Sequence, residues 1–328
     1  ADVVENDGQF LYSLAGSELV ITAVTSGTEL TVASQTQLEG TPVGIYLNGD
    51  RLTVISRISS GFDRTPDAAT VVDVIGGGSF FPNYPSGETL VSVYDVSVRV
   101  APRLVYATRF DGEYLESRRI DDTVFVVTQP DQVTLPAPEY NEDGVRETEA
   151  EYTSRMRAEM ATLLPEQLPQ YTSYDTNGEV LRNGLLVAPE DIFQPITEDA
   201  NTLLTVSSLD MSHDQGSLLA TQGVLSGNGT NVYASLDNLY IFADTFDSVE
   251  NRGATDVLQF AWNAETGSID FAATGQVRGW MNDQFSADEF EGHLRIATTV
   301  NNGNAGNYSN RDENTLFVLE SDGGVLEP

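Results

Sequence analysis

The sequence predicts an all-β fold made of repeated four-stranded antiparallel sheets, and the main observation is a turn-and-strand pattern that recurs five times. A polar turn at Gly8, Gly49, Asp122, Asn238 or Gly292 is each time followed by an apolar strand. Each of these strands is followed by a second strand-like run, and four of the five series continue with a third. β-Branched and aromatic residues dominate the runs and turn residues bound them, which is typical of strands.

The spacing of the five turns identifies the repeated unit. The turns are 41, 73, 116 and 54 residues apart. Treating residues 62–88 and 130–200 as insertions reduces the two long spacings to 46 and 45 residues. One four-stranded propeller blade takes about 40–50 residues. The sequence therefore predicts a β-propeller with about five four-stranded antiparallel blades, and the alternative is a meander or sandwich in which the spacing is accidental.

The strands follow the turns in order along the chain. The predicted strands are 10–14, 19–21 and 30–32; 52–55, 90–94 and 104–106; 124–127, 203–206 and 218–220; 239–242, 257–260 and 269–271; and 294–296 and 316–319. Residues 324–328 stand where the fifth blade's next strand would begin. Because a propeller needs closure to remove its sheet edges, we expect residues 1–328 to be part of a larger propeller that another chain or segment completes.

The insertion at 130–200 has a helical pattern of its own. Apolar residues with helical spacing predict a helix over 147–164, and Pro165 and Pro169 are expected to end it. The apolar stripe consists of Tyr152, Met156, Met160, Leu163 and Leu164. A helix that caps one side of the propeller and a helix that acts as a lid or partner-binding element both fit this pattern.

The charge excludes several classes of partner. The chain has 50 acidic and 16 basic residues, a net charge of −34, and all its basic residues are arginines. Binding to nucleic acid or anionic lipid needs clustered basic residues, so neither is expected. Strong self-repulsion is tolerated where salt shortens the Debye length, which predicts a salt-rich habitat; an acidic surface from a GC-rich genome is the alternative. No apolar run is long enough to insert into a membrane.

Three runs carry a resemblance to a known family: DGEYLESRRI (111–120), GTNVYAS (229–235) and NDQFSADEFEG (282–292). With the propeller pattern, they resemble the secreted β-propeller domain proteins of bacteria and archaea, which are distantly related to WD-repeat propellers. The WD dipeptide itself is absent. The resemblance implies a propeller, an extracellular or cell-surface location and no assigned activity. The sequons at Asn228 and Asn307 are candidate glycosylation sites of an exported glycoprotein.

Few residues predict a metal or catalytic site. The chain has two histidines, His213 and His293, and no cysteine, which excludes a histidine-rich site, a cysteine-based zinc site and disulfides. Asp175, Asn177 and Glu179 alternate as oxygen ligands around a turn glycine, a partial calcium-loop pattern. A solvated turn is the alternative to calcium, and no other cofactor is predicted.

Two positions are candidates for a binding surface. Arg118 and Arg119 are an adjacent basic pair whose side chains would point to opposite faces of a strand. One of them could make a structural ion pair and the other an anion site in a groove. Trp280 and Phe285 lie in an aromatic and acidic loop, where buried aromatics would fill the gap between blades and exposed ones would bind a partner.

These observations predict an exported, non-catalytic propeller that acts as a cell-surface or extracellular binding or scaffold module for protein or glycan. Two alternatives stay open: a hydrolase or metal-dependent enzyme with its site at the propeller axis, and a subunit of an extracellular structural assembly. Carboxylates converging at the axis with raised pKa values would favour the enzyme, and no catalytic residue is named.

Overall fold

The computed structural model shows an all-β propeller fold with one helix in the part of the chain that it describes. The described residues are 3–25, 29–59, 87–131, 136–141, 143–194, 202–212, 217–247, 252–263, 265–300 and 313–328. Strands of the first two blades are β1 (Val4–Asn6), β2 (Phe10–Ala15), β3 (Glu18–Thr25) and β4 (Glu29–Gln37) in blade 1, and β5 (Thr41–Asn48), β6 (Arg51–Ile58), β7 (Glu88–Asp95) and β8 (Arg103–Asp111) in blade 2.

Blade 3 is divided by the insertion. Its first strands are β9 (Glu113–Ile120) and β10 (Thr123–Gln129); then come helix α1 (Glu149–Gln167) and the strands β11 (Gln170–Tyr174), β12 (Val180–Leu185) and β13 (Ile192–Phe193), and finally β14 (Thr202–Asp210) and β15 (Ser217–Ser226). The last blades contain β16 (Asn228–Ala234), β17 (Asn238–Asp247), β18 (Arg252–Trp262) and β19 (Ile269–Arg278) in blade 4, and β20 (Ala287–Phe290), β21 (His293–Val300), β22 (Glu313–Asp322) and β23 (Val325–Glu327) in blade 5.

Within each blade the four strands are antiparallel neighbours in chain order, as the sequence predicts. The turn between the first and second strands contains left-handed backbone in four blades. In three of them a glycine adopts it, namely Gly8 at φ 86°, Gly49 at 58° and Gly292 at 78°, and in blade 3 Asp121 adopts it at 49°. Glycine adopts this conformation without the steric cost that a Cβ imposes. The predicted turns therefore lie at the first hairpin of each blade.

The blades are held together by apolar side chains on both faces of their sheets. In β17, Leu239 and Ile241 pack toward blade 3, while Tyr240 and Phe242 pack toward blade 5. Successive strand residues point to opposite faces, so a strand covered on both sides can bury apolar side chains at adjacent positions. Four such clusters fill the interfaces between consecutive blades from blade 1 to blade 5.

The insertion adds strands to the outer edges of two blades, which the sequence pattern does not predict. The β11–β12 hairpin pairs with β8 of blade 2, and β13 runs parallel to β15 of blade 3. Sheets of blades 4 and 5 are also joined, because β23 pairs with both β22 and β19.

Helix α1 is longer at its C-terminal end than the prediction. The helix continues past Pro165, and Leu168 donates its N–H to the Leu164 carbonyl at 3.0 Å. A proline removes one donor but leaves the hydrogen bonds of the following residues available. Leu168 then adopts an extended conformation at ψ 145° before Pro169, as residues before proline prefer. Among the described residues, no helix has the length and apolarity to span a membrane.

Candidate functional site

A cavity of about 350 Å³ lies where the innermost strands of blades 2, 3, 4 and 5 meet. We call it the axial cavity. It is bounded by one strand, or the turn that leads into it, from each of these blades. Its lining residues are Tyr46, Glu116, Ser117, Arg118, Val232, Tyr233, Ala234, Gln284, Phe285 and Ala287.

The cavity is built from a repeated position of the fold. Tyr46, Arg118 and Tyr233 each lie five residues before the second strand of their blade begins. Equivalent positions of neighbouring blades lie side by side around the axis, so these three side chains line one space. In blade 5 the equivalent residue is Asp288, whose carboxylate is paired with Arg295 instead.

Arg118 supplies a cation to this cavity. Its side chain is exposed, and within the described residues its guanidinium has no hydrogen-bond or ion-pair partner. Arg119 instead donates from its guanidinium to the Asp121 carbonyl at 2.8 Å. In the described part of the chain, Arg118 therefore does not form the structural ion pair that was one of the two predicted roles. Its guanidinium is available to a ligand.

Hydroxyl groups form a fixed wall beside Arg118. The Tyr46 hydroxyl donates to the Ser117 carbonyl at 2.7 Å and lies 2.9 Å from Ser117 Oγ, which is also 2.9 Å from the Tyr114 hydroxyl. Burial raises the pKa of both tyrosines, that of Tyr114 to about 12. Both phenols are therefore neutral at ordinary pH and act as hydrogen-bonding groups.

Phe285 forms an aromatic wall on the blade 5 side. Its side chain is 86% exposed although it lines the cavity. The Asp283 carboxylate accepts a hydrogen bond from the Phe285 N–H at 3.0 Å, which fixes the turn that presents the ring. An exposed phenylalanine in a preformed turn leaves an apolar face available for contact.

Tyr233 forms the aromatic wall on the blade 4 side and is held by its neighbours. Its ring stacks on Tyr240 with centroids 6.0 Å apart, and its hydroxyl accepts the Glu289 N–H at 3.0 Å. The Glu289 Oε2 atom in turn accepts from Ser235, Asn238 and Tyr240 at 2.8, 3.0 and 3.0 Å. This network joins blades 4 and 5 directly behind the cavity.

Trp280 lies elsewhere than Phe285, although both were predicted as binding residues. Its ring packs against Gly253, where an added Cβ would lie 2.3 Å from the indole. Its backbone forms a two-way bridge with Thr299 at 3.0 and 2.9 Å. Trp280 thus covers the junction of blades 4 and 5, and it is not among the residues that line the axial cavity.

The calcium candidates lie in the turn between β11 and β12, at the outer edge of blade 2. Asp175 Oδ1 accepts the N–H groups of Asn177 and Glu179, both at 2.8 Å, and these hydrogen bonds lower the pKa of Asp175. The Asp175 carboxylate therefore stabilises the turn that contains it. Within the described ranges, no three His, Cys, Asp or Glu side chains are grouped closely enough to hold a metal ion.

The remaining predicted positions are not among the residues that line the axial cavity, and some of them lie outside the described residues. Asn228 is the first residue of β16, a strand where the sequence pattern indicates a turn. Asn307 and His213 lie outside the described residues. Carboxyl groups with a raised pKa include Asp111 at the end of β8 and Asp244 in β17, in both cases because of burial; these two lie in different blades and do not line the axial cavity.

Sequential four-stranded blades around a shared cavity define a β-propeller. The family described as Beta propeller domain matches residues 1–327, and the chain belongs to this family. No curated protein matches the sequence.

Solved structures similar to the chain include a protein of unknown function from Desulfotomaculum acetoxidans, with 10% identity, a TM-score of 0.27, and coverage of 96% of this chain and 100% of that one. A putative 6-phosphogluconolactonase from Bacteroides fragilis has 12% identity, a TM-score of 0.29, and coverage of 98% and 85%. The periplasmic gluconolactonase of Pseudomonas aeruginosa has 11% identity, a TM-score of 0.27, and coverage of 97% and 87%. TM-scores of this size do not support the transfer of an activity or ligand.

Proposed function

We propose that the protein is a non-catalytic binding module of the cell surface or extracellular space, and that it holds a glycan or protein ligand at the axial cavity. The observation that carries this proposal is Arg118, a cation with no partner among the described residues, in a cavity walled by aromatic side chains. Ligand sites are typically preformed cavities with a few convergent polar groups. The cavity has this composition.

The enzyme alternative has less support. Hydrolysis by paired carboxylates requires two acids that face one substrate bond, with their pKa values set apart by their surroundings. The carboxyl groups with a raised pKa described above, Asp111 and Asp244, belong to separate blades. Among the described residues that line the axial cavity, Glu116 is the one carboxylate, and its Oε1 accepts the Ser117 N–H at 2.9 Å.

A glycan array probed with the purified chain tests the proposal. We expect the wild-type chain to retain a subset of glycans, and the variant Arg118→Gln/Tyr233→Ala to lose them. The bound glycan should be recovered intact by mass spectrometry. Cleavage of the glycan would establish the enzyme alternative, and unchanged retention by the variant would place the ligand site outside the axial cavity.

The habitat is a separate part of the proposal. A net charge of −34 makes the folded chain repel itself, and salt near 1 M shortens the Debye length to about 3 Å. We therefore expect the thermal unfolding midpoint to rise steadily from 0.05 to 1 M KCl, as fits a salt-rich environment. A midpoint that is independent of KCl, or that falls, would contradict the salt adaptation and leave the binding proposal untouched.

A further inference from the structure

We infer that the ligand of the axial cavity is a glycan whose sugar rings carry a carboxylate, such as a uronic-acid oligosaccharide. The inference rests on the proposed binding function and specifies its ligand. Its first support is charge. A guanidinium donates two parallel hydrogen bonds that match a carboxylate, and Arg118 is exposed in the cavity with no acceptor among the described residues.

The surroundings of Arg118 favour a singly charged group. Glu116 lies two residues away on the same face of β9 and lines the same cavity, and the chain as a whole is strongly negative. A phosphate or sulfate ester would place a charge of similar or greater size, and more oxygen atoms, against this field. A carboxylate carries one charge and presents its two oxygens in the geometry of the guanidinium.

The aromatic walls favour a sugar over an acidic peptide. Phe285 and Tyr233 are contributed by different blades and line the cavity together. A sugar ring has an apolar C–H face that can lie flat on such rings, while its hydroxyl groups bond to polar neighbours. Gln284 and Glu116 supply polar groups at the same cavity. Side chains of Asp or Glu offer a carboxylate but no comparable apolar face.

The size of the site fits one sugar ring of a longer chain. A volume of about 350 Å³ lies at the lower end of the usual range for small-molecule sites, about 300–1,000 Å³. We therefore expect one ring to occupy the cavity, with its neighbours in the chain outside. Recognition would then depend on the carboxylate of that ring and on its stacking face.

Isothermal titration calorimetry with defined probes tests the inference. The probes are the tetrasaccharides of galacturonate, glucuronate and mannuronate, the methyl-esterified galacturonate tetrasaccharide, and tetraglutamate. Measurements in 1 M KCl screen the repulsion from distant acidic groups. The variants are Arg118→Gln and, as a matched control on the same strand, Arg119→Gln; the two remove the same charge, and their folding is checked by circular dichroism.

We expect at least one uronate tetrasaccharide to bind the wild-type chain. Arg118→Gln should weaken that binding by about 10- to 100-fold, since hydrogen bonds to a charged group are lost, whereas Arg119→Gln should change it by less than about 2-fold. The methyl ester should bind as weakly to the wild-type chain as the acid does to Arg118→Gln. Phe285→Ala should weaken binding by about 2- to 10-fold.

Four results would overturn the inference. The first is failure of all three uronates to bind. The second is binding of the methyl ester as tightly as the acid, which would indicate a site for neutral glycans and so leave the proposed binding function in place. The third is equal or tighter binding of tetraglutamate, which would indicate a protein ligand. Equal losses in the two arginine variants would also contradict it, because they would reflect overall charge and not the cavity.

Discussion

The interface between blades 3 and 4 and the inserted helix α1 are stabilised in different ways. At the interface, apolar side chains from both blades are buried against each other, among them Phe125, Phe260 and Trp262. In α1, Met156 is the one fully buried side chain among those described. The side chains of Tyr152 and Arg155 bond to residues 136–147 of the same insertion. This difference indicates that the blade interfaces set global stability, while the helix can open independently.

The largest expected effect is at the blade interface. Phe260 of β18 is fully buried and contacts Phe193 of β13 edge-on, with ring centroids 6.3 Å apart. Phe260→Ala removes this packing and leaves a cavity, so we expect a loss of about 3–5 kcal/mol in the free energy of unfolding. Urea unfolding followed by tryptophan fluorescence measures it.

Phe246→Ala is the matched control, because that phenylalanine is 53% exposed in neighbouring β17. It should change the free energy of unfolding by less than about 0.5 kcal/mol. Similar values for the two variants would contradict the assignment of global stability to the interface.

A smaller effect is expected at the polar contact between blades 4 and 5. Glu289→Ala removes the acceptor of three hydrogen bonds and leaves the buried Tyr240 hydroxyl without it. We expect a loss of about 2–3 kcal/mol. Glu289→Gln retains an acceptor oxygen and should lose about half as much. If chemical denaturation gives Glu289→Ala the same free energy of unfolding as the wild-type chain, this network does not stabilise the interface.

The contact between blades 1 and 2 should depend on pH. Partial burial raises the pKa of Asp7, but hydrogen bonds from the Gln9 and Phe10 N–H groups, Tyr12 and Arg99 outweigh it and lower the pKa from 3.8 to about 2. A lowered pKa in the folded state stabilises the fold fully above about pH 5, and this contribution is lost as the pH falls toward 2.

Asp7→Asn isolates this contribution from the many other acids. The difference in free energy of unfolding between the wild-type chain and the variant should be constant above pH 5 and shrink steadily between pH 4 and pH 2. Urea titrations at each pH measure it. A difference that does not vary over this range would show that the carboxylate is not stabilised by these contacts.

The smallest expected effect is in helix α1. Thr148 and Glu151 form a capping box at its start, and the Thr148 Oγ1 accepts the Glu151 N–H at 3.4 Å. Thr148→Ala should destabilise the helix locally by about 1 kcal/mol. Hydrogen exchange should then accelerate in α1 and stay unchanged in the blades. Faster exchange in β10 or β14 as well would mean that the helix and the blades unfold as one unit.

The sequence predicts the second and third strands of all five blades and the fourth strands of the first four because each contains a run of apolar residues bounded by turn residues. The innermost strands were not predicted as strands. In β9, residues such as Glu116, Arg118 and Arg119 alternate between the cavity, the interface and solvent, so hydrophobicity does not mark them. The runs that carry the family resemblance contain three of these strands.

The site was predictable in part. The sequence identifies Arg118 as part of a basic pair and Phe285 as part of an aromatic and acidic loop that is either buried between blades or exposed. Their common cavity depends on how blades 3 and 5 are arranged around the axis. Tyr46 and Tyr233 were missed. Both residues lie five positions before the second strand of their blade, as Arg118 does. This spacing identifies them once the innermost strands are assigned.

Spin labels offer the most direct test of the central claim that the innermost strands of blades 3 and 5 face one cavity. The chain contains no cysteine, so Arg118→Cys and Phe285→Cys can be labelled singly and together. If both strands face one cavity, the two labels lie close together, and the doubly labelled chain should have a dipolar-broadened electron paramagnetic resonance spectrum. A spectrum equal to the sum of the two single-label spectra would contradict the cavity and the binding function proposed for it.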